Sequence, residues 1–165
     1  MNIRPEQPGD IDTIRIVNLE AFETAVEANL VDALRNTDID LISLVAEENG
    51  EIVGHILFSP VTVDGNIRVM GLAPMAVLPG WQKKGIGTKL VHEGLKACGN
   101  AGYKAAVVLG HAEYYPRFGF VPSVNYGIKS EYNVPPEVFM VKELQAGALE
   151  HTKGIVKYHQ AFSEV

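Results

Sequence analysis

The stretch Met75-Ala76-Val77-Leu78-Pro79-Gly80-Trp81-Gln82-Lys83-Lys84-Gly85-Ile86-Gly87-Thr88-Lys89-Leu90 predicts a strand end, a glycine-containing turn and the start of an amphipathic helix. The first N–H groups of a helix have no partner within it and lie at the positive end of its dipole. Such amides can converge on phosphate oxygens, with two glycines allowing close approach and two lysines adding charge. The expected pyrophosphate-binding residues are Gln82, Lys83, Lys84, Gly85, Ile86, Gly87 and Thr88.

Two other phosphate-binding motifs do not fit this stretch. Gly80 and Gly85 have the spacing of a Walker A motif, but Ile86-Gly87 stands where the lysine and the hydroxyl residue belong. A dinucleotide-binding fingerprint requires a third glycine at the position of Leu90. A nucleotide-binding ATPase is therefore not expected.

The turn resembles the Gln/Arg-x-x-Gly-x-Gly/Ala motif of the GNAT superfamily, the acetyl-CoA-dependent N-acetyltransferases, through Gln82-Lys83-Lys84-Gly85-Ile86-Gly87. Downstream, Tyr115-Pro116-Arg117-Phe118-Gly119-Phe120 is similar to the family's Tyr-x-x-x-Gly-Phe element. The loop alone is equally typical of an ordinary helix start. The two elements together, with a predicted strand between them, identify the chain as a small, bacterial-type, single-domain member over residues 1–165.

Composition agrees with a small enzyme. A chain of 165 residues is long enough for one continuous core. The net charge of −6, from 14 basic and 20 acidic residues, disfavours nucleic acid as a partner. No signal peptide or membrane-spanning run is evident, so we expect a cytoplasmic protein without a membrane partner. The single cysteine, Cys98, is expected in the core, and no metal site is expected.

The order of predicted elements indicates an α/β (α+β) fold. A first strand near Ile3 precedes a helix that Asp10 can cap, and then a second helix over 24–35. Further strands are predicted at 41–46, 52–58, 67–77, 105–109, 126–132 and 138–144, with turns at Asn49-Gly50 and Asp64-Gly65-Asn66, a helix over 83–101 ending near Gly102, and a helical turn over 113–117. The resemblance implies a mixed, mostly antiparallel central sheet of about six or seven strands with flanking helices and splayed central strands.

Pro74 lies inside an otherwise apolar strand, where its missing N–H interrupts the hydrogen-bond ladder. The resemblance implies that this strand splays from the strand at 105–109 and that pantetheine enters the gap. The backbone of Met75, Ala76 and Val77 would then bind the cofactor, and the Met75 amide would polarise the thioester carbonyl. An ordinary edge-strand proline is the alternative.

Acetyl transfer to an amine needs a neutral nucleophile and an acid for the leaving thiolate. An amine with a pKa of about 10.4 costs roughly 4–5 kcal/mol to deprotonate at neutral pH. Tyr115 is the candidate acid because it matches the tyrosine of the family element. Its alternative role is aromatic packing on Phe118 and Phe120.

The sequence departs from its relatives at the positions where some of them carry the general base. Some GNAT members have Glu or His on the strand before the loop, but Gly71 and Ala73 occupy the matching positions. His111 is the candidate, because it lies just past a parallel strand end and near Tyr115 in sequence. A surface histidine is equally compatible. The other candidates are Glu113, Glu20, Glu23, His55 and ordered water.

The resemblance implies an N-acetyltransferase that moves the acetyl group of acetyl-CoA to a primary amine of a small molecule or peptide. The alternative is a catalytically silent acyl-CoA-binding sensor. In this family the first two helices and the C-terminal strands form the acceptor groove, and those strands often pair in a homodimer. The groove residues here are Glu20, Phe22, Glu23, Glu27, Tyr126 and Tyr132, although the acids are also typical of a solvated helix face.

Overall fold

The computed structural model describes residues 1–64 and 67–165, which divide into two compact units. Unit 1 comprises Met1–Ser59, Ala73–Gly94 and Gln160–Val165, and unit 2 comprises Pro60–Leu72 and Leu95–His159. Three elements contribute residues to both units: the strands β3 (Glu51–Asp64) and β4 (Val69–Val77) and the helix α3 (Ile86–Asn100).

Unit 1 combines antiparallel strands with two short helices. Its own elements are β1 (Asn2–Pro5), α1 (Ile11–Ala21), α2 (Val26–Arg35) and β2 (Ile42–Glu48). β1 pairs with β2, and β2 pairs with β3. Asn49 and Gly50 have φ angles of 53° and 81°, which fits the tight hairpin that the Asn-Gly pair predicts.

The core of unit 1 lies between these strands and the apolar faces of α1 and α2. Its buried members include Ile14, Val17, Leu34, Val45, Leu57 and Ala76. Two glycines bring α3 close to β3. A Cβ at Gly54 would lie 3.1 Å from Ile86, and one at Gly94 would lie 2.3 Å from the Phe58 ring. Close packing at these two points fixes the first half of α3, and with it the start of the helix.

A chain of hydrogen-bonded polar groups, of which Asn18 and His55 are fully buried, connects both helices of unit 1 to its strands. Asn18 on α1 lies 3.2 Å from Nδ1 of His55, whose Nε2 lies 2.9 Å from the Ser43 hydroxyl. The Ser43 hydroxyl donates to Glu6, which also accepts from Arg35 on α2. An amide NH₂ can only donate, so Nδ1 accepts from Asn18 and the proton of neutral His55 resides on Nε2.

Unit 2 surrounds a second core with short strands. Its own elements are β5 (Ala105–Leu109), β6 (Val121–Pro122), β7 (Ile128–Ser130), β8 (Phe139–Glu143) and β9 (Lys153–Lys157). β5 pairs in parallel with β4 and antiparallel with β8. β9 pairs antiparallel with the end of β3 and in parallel with β7. The core includes Val61, Val107, Ile128, Phe139, Val141 and Val156.

The fold class is confirmed as a mixed, mostly antiparallel sheet with flanking helices. Hydrogen-bonded neighbours follow the order β1-β2-β3-β4-β5-β8-β6, with β9 beside β3 and β7 beside β9. The described residues form nine strands rather than about six or seven. The two additional strands are β6, which has two residues, too few for a recognisable alternating pattern, and β9, which has five residues. β7 lies within the strand predicted at 126–132. Among the described helices, none has the length and apolar character that a bilayer crossing requires.

Several predicted boundaries are corrected. Helix α3 begins at Ile86 rather than near Lys83, because Lys83 and Gly85 have left-handed φ angles of 63° and 83°. Asp10 occupies the N-cap position of α1, as predicted, but its side chain makes no cap hydrogen bond, since the carboxylate accepts from the Gln7 amide at 2.7 Å and from Arg4. The predicted turn at 64–66 includes Gly65 and Asn66, which lie outside the described residues. Gly102 ends α3 at φ 92°, as predicted.

Candidate functional site

The loop after β4 is held by its own hydrogen bonds. The Leu78 amide donates to the Val53 carbonyl at 2.9 Å, and the Trp81 amide donates to the Leu78 carbonyl at 2.8 Å. The Gln82 side chain donates to the Val77 carbonyl at 3.0 Å, and its backbone amide lies 3.4 Å from the Pro79 carbonyl. Gln82 therefore shapes the turn with both of its donors, in contrast to the expectation that its amide is open to a phosphate.

The residues after Gln82 have a distinctive backbone conformation at the start of α3. Lys83 and Gly85 are both left-handed, with φ angles of 63° and 83°. The first α3 bond runs from Lys89 to the carbonyl of Gly85 at 3.1 Å, so the Ile86 and Gly87 amides precede any helical acceptor. Residues 82–85 are exposed to solvent. This segment can accept an anion.

Positive charge lies beside this segment. The Lys84 ammonium lies 5.2 Å from the centre of the Trp81 ring, within the range of a cation–π contact. Lys83 and Lys84 are exposed, whereas Trp81 is half-buried. The Trp81 ring therefore positions Lys84 next to the helix start.

The strand that leads into the loop ends in a buried segment. Ala76 and Val77 are buried and Met75 is half-buried. A Cβ at Gly54 would lie 3.3 Å from the Ala76 carbonyl, so β3 and β4 approach closely at this point of unit 1. The register pairs of β4 with β5 end at Leu72, two residues before Pro74. The interruption predicted at Pro74 agrees with this register.

In unit 2, Tyr115 lies in an aromatic cluster on the helical turn Tyr115–Phe118. Its ring makes edge contacts with Tyr114 and Phe120, at centroid separations of 5.1 Å and 5.8 Å. Gly110 lacks the Cβ that would lie 2.5 Å from the Tyr115 ring. Burial raises the pKa of Tyr115 to about 12, and the neighbouring Tyr114 adds to the shift. The phenol therefore keeps its proton throughout the neutral range.

His111 precedes Tyr115 in unit 2 and has an exposed side chain. Its backbone carbonyl accepts from the amides of Tyr114 and Tyr115 at 3.1 Å and 3.3 Å, which fixes the turn below the phenol. Glu113 is also exposed. The Arg117 guanidinium stacks at 4.4 Å from the Tyr114 ring centre. The structure thus brings His111 and Tyr115 together through the backbone of one turn.

The remaining candidate bases lie in unit 1. His55 is fully buried, and desolvation first, then the charge of Arg35, lowers its pKa to about 3. His55 is therefore a satisfied core residue, which agrees with one of the predicted alternatives. Glu20 and Glu23 are exposed on and after α1. Cys98 is fully buried, as predicted, and burial raises the pKa of its thiol to about 12.

The position of Gly71 explains the missing strand carboxylate. A Cβ there would lie 2.9 Å from Val61 and 3.0 Å from the Tyr158 ring. Sequence reasoning did not identify Tyr158, and the only signal was a glycine inside an apolar strand, which is typical of close approach by another group. Gly110 carries the same signal before Tyr115. Within residues 1–64 and 67–165, no group of three or more His, Cys, Asp or Glu side chains could hold a metal ion.

Known proteins resemble this chain over nearly its whole length. A family model described as an acetyltransferase (GNAT) domain matches residues 40–122. The uncharacterized N-acetyltransferase YhbS of Escherichia coli K12 is 35% identical over 165 residues, which cover 99% of each chain. The crystal structure of E. coli YhbS in complex with CoA superposes with a TM-score of 0.94, covering 98% of this chain and 91% of that one. A Brucella melitensis acetyltransferase in complex with acetyl-CoA is 38% identical, with a TM-score of 0.80, and the coverage is 98% and 97%.

Proposed function

The chain belongs to the GNAT family of N-acetyltransferases, and on that premise we propose that it transfers the acetyl group of acetyl-CoA to a primary amine of a small molecule or peptide. The observation that carries this proposal is the left-handed backbone of Lys83 and Gly85 directly before α3. It is supported by the two relatives whose crystal structures contain CoA or acetyl-CoA. The catalytic domain in this proposal spans residues 1–165.

The residues of the loop fit a diphosphate. The amides from Lys83 to Thr88 would bind its oxygens, and the exposed ammonium groups of Lys83 and Lys84 would offset its charge. Gln82 would act indirectly, because its side chain holds the loop to Val77. The backbone of Met75, Ala76 and Val77 would bind the pantetheine arm.

Bound acetyl-CoA supplies an acetyl thioester, whose carbonyl carbon forms a bond to the amine nitrogen as its bond to sulfur breaks. The Met75 amide is proposed to donate a hydrogen bond to the carbonyl oxygen as negative charge develops there. Such a donor needs a fixed direction and no particular side chain. This agrees with a half-buried position at the end of a strand.

Tyr115 is the proposed acid. Its pKa of about 12 keeps the phenol protonated, so that it can donate to the leaving sulfur at any pH near neutrality. A thiol has a pKa of about 8.5, so complete proton transfer from this phenol would be unfavourable by itself. We therefore propose that the hydroxyl stabilises the thiolate by hydrogen bonding. The proton that the amine loses balances the negative charge that the leaving sulfur gains.

His111 is the proposed base for that proton. Its exposed ring is accessible to solvent and is linked to Tyr115 by the backbone bonds of the turn. A neutral imidazole nitrogen can accept a proton of this kind. Water can substitute for an exposed base, so the expected contribution of His111 is smaller than that of Tyr115.

The test combines binding with turnover. Calorimetry with CoA should detect binding to the wild-type protein and weaker binding to a variant of the loop, Gly85→Ala. Thiol release from acetyl-CoA should then be measured with a panel of primary amines. Binding without release for any amine would favour a catalytically silent sensor, an alternative supported by the absence of a titratable side chain at Gly71. No binding of CoA would overturn the proposed function.

A further inference from the structure

The strands β7 and β9 place two tyrosines side by side in unit 2. Their parallel register pairs Ile128 with Gly154 and Ser130 with Val156. Continued by two residues, the same register sets Tyr132 beside Tyr158. Side chains at matching positions of parallel strands lie on the same face. The two rings accordingly lie 5.8 Å apart between centroids, with a tilt of 34°.

A carboxylate lies next to the two rings. One oxygen of Glu131 accepts from the Tyr158 amide at 2.6 Å, and the Glu131 amide donates to the Val156 carbonyl at 3.3 Å. These bonds fix the position of the carboxylate at the strand ends. Within the part of the chain that the structure describes, Glu131 forms no ion pair with a lysine or arginine. Its charge contributes to raising the pKa of both tyrosines, after the larger effect of burial.

The cluster of Glu131, Tyr132 and Tyr158 packs on the core of unit 2 on one side and is exposed to solvent on the other. Tyr158 is half-buried against the core of unit 2, and its ring fills the space over Gly71. Tyr132 is 38% exposed, and Glu131 is exposed as well. Solvent therefore reaches the cluster on the side of Tyr132 and Glu131.

We propose that Glu131, Tyr132 and Tyr158 form a binding site for an organic cation. Ring faces attract cations within about 6 Å of their centroids, and an adjacent carboxylate adds a Coulombic attraction.

Binding of the cation can be measured without turnover. Choline and 3,3-dimethyl-1-butanol have nearly the same shape, but only choline is charged. In two-dimensional NMR of the labelled protein, choline should shift the amide signals of Glu131, Tyr132 and Tyr158, and the neutral alcohol should not. Equal shifts with both probes, or none with choline at tens of millimolar, would overturn the site.

Variants distinguish the contribution of the Tyr132 ring to binding from that of its hydroxyl, and the contribution of the Glu131 charge from that of its shape. Tyr132→Phe should keep choline binding because it keeps the ring, whereas Tyr132→Leu and Glu131→Gln should each weaken it about three- to tenfold. Glu137→Gln, another exposed carboxylate of unit 2, is the matched control and should have no effect. Far-UV circular dichroism would confirm folding of each variant. Equal weakening by the Glu137 control would contradict a specific site.

Discussion

The absence of a side chain at Gly110 allows the Tyr115 ring to lie directly against the end of β5, since a Cβ at Gly110 would lie 2.5 Å from Cε2 of Tyr115. The ring is enclosed further by Tyr114 and Phe120. The direction of the phenol is therefore determined by a residue with no functional group. Gly110 therefore helps to set the position of the candidate acid, Tyr115.

Gly110→Ala should displace the Tyr115 ring and lower both stability and activity. Overpacking of this kind costs about 1–3 kcal/mol of the free energy of unfolding. Urea denaturation would measure that cost, and thiol release with an active amine would measure kcat. Gly99→Ala is the matched control, because nothing lies within 4 Å of a Cβ at this exposed helical position. A variant at Gly110 as stable and active as the control would contradict the inferred contact.

Tyr115→Phe should lower kcat without unfolding the cluster. Removing a hydrogen-bond donor from a position of developing negative charge typically lowers kcat about 100-fold or more, and the phenylalanine ring keeps the aromatic contacts. The KM for acetyl-CoA and the melting temperature should change little. Because the pKa of Tyr115 is raised to about 12, its protonated form persists to alkaline pH. Up to pH 10, kcat should therefore follow the same pH dependence in the wild-type protein and in Tyr115→Phe. A fall in kcat that occurs only in the wild-type protein would indicate that the phenol has its ordinary pKa.

Gly85→Ala should weaken CoA binding about tenfold, because the left-handed backbone at this position favours glycine. Its φ angle is 83°, and an alanine there costs about 1–2 kcal/mol or forces the loop to change. Gly80→Ala is the matched control in the same loop, since both positions have nothing within 4 Å of a Cβ and only Gly85 has positive φ. Calorimetry with CoA compares the two. Equal affinities would show that the loop conformation is not needed.

His55 should make the protein less stable as the pH falls. Its folded pKa of about 3 lies below the unfolded value of about 6.5, so below pH 6.5 the unfolded chain binds more protons than the folded one. Stability from this group is complete at neutral pH and is lost progressively toward pH 3. Between pH 7 and 5 the expected loss is about 2 kcal/mol. Urea denaturation at both pH values would measure it.

An NMR titration of the His55 ring in the wild-type protein checks the same prediction without a mutation. The ring should remain neutral at pH 5, with its proton on Nε2. His55→Gln should show a smaller loss of stability between pH 7 and 5 if it folds. A ring that titrates near pH 6.5 in the folded protein would contradict the buried, neutral state.

The loop proposed to bind the diphosphate could be predicted from the sequence because the binding groups proposed for it are backbone amides. Glycines and a following amphipathic pattern are sufficient to indicate a helix start, and local hydrogen bonds then determine the conformation. The left-handed Lys83 was not predicted, since a lysine has no particular preference for that region. The helix consequently begins later than the apolar periodicity suggests. Tyr115 was identified from its spacing to Gly119 and Phe120 alone.

The tyrosine pair could not be predicted, because it depends on the pairing of β7 with β9. These strands have three and five residues, and the parallel register between them is set by contacts distant in sequence. Gly71 provided a partial signal that another group approaches β4. Only the structure shows that this group is Tyr158.

The hydrogen-bonded chain that begins at Asn18 and ends at Arg35 links five segments that are far apart in sequence. Each hydrogen bond in it has a defined donor and acceptor. Replacing His55 would leave one N–H of the fully buried Asn18 amide without its acceptor. Exchanges at Asn18 and His55 are therefore expected to occur together in evolution, so that both ends of the bond change at once.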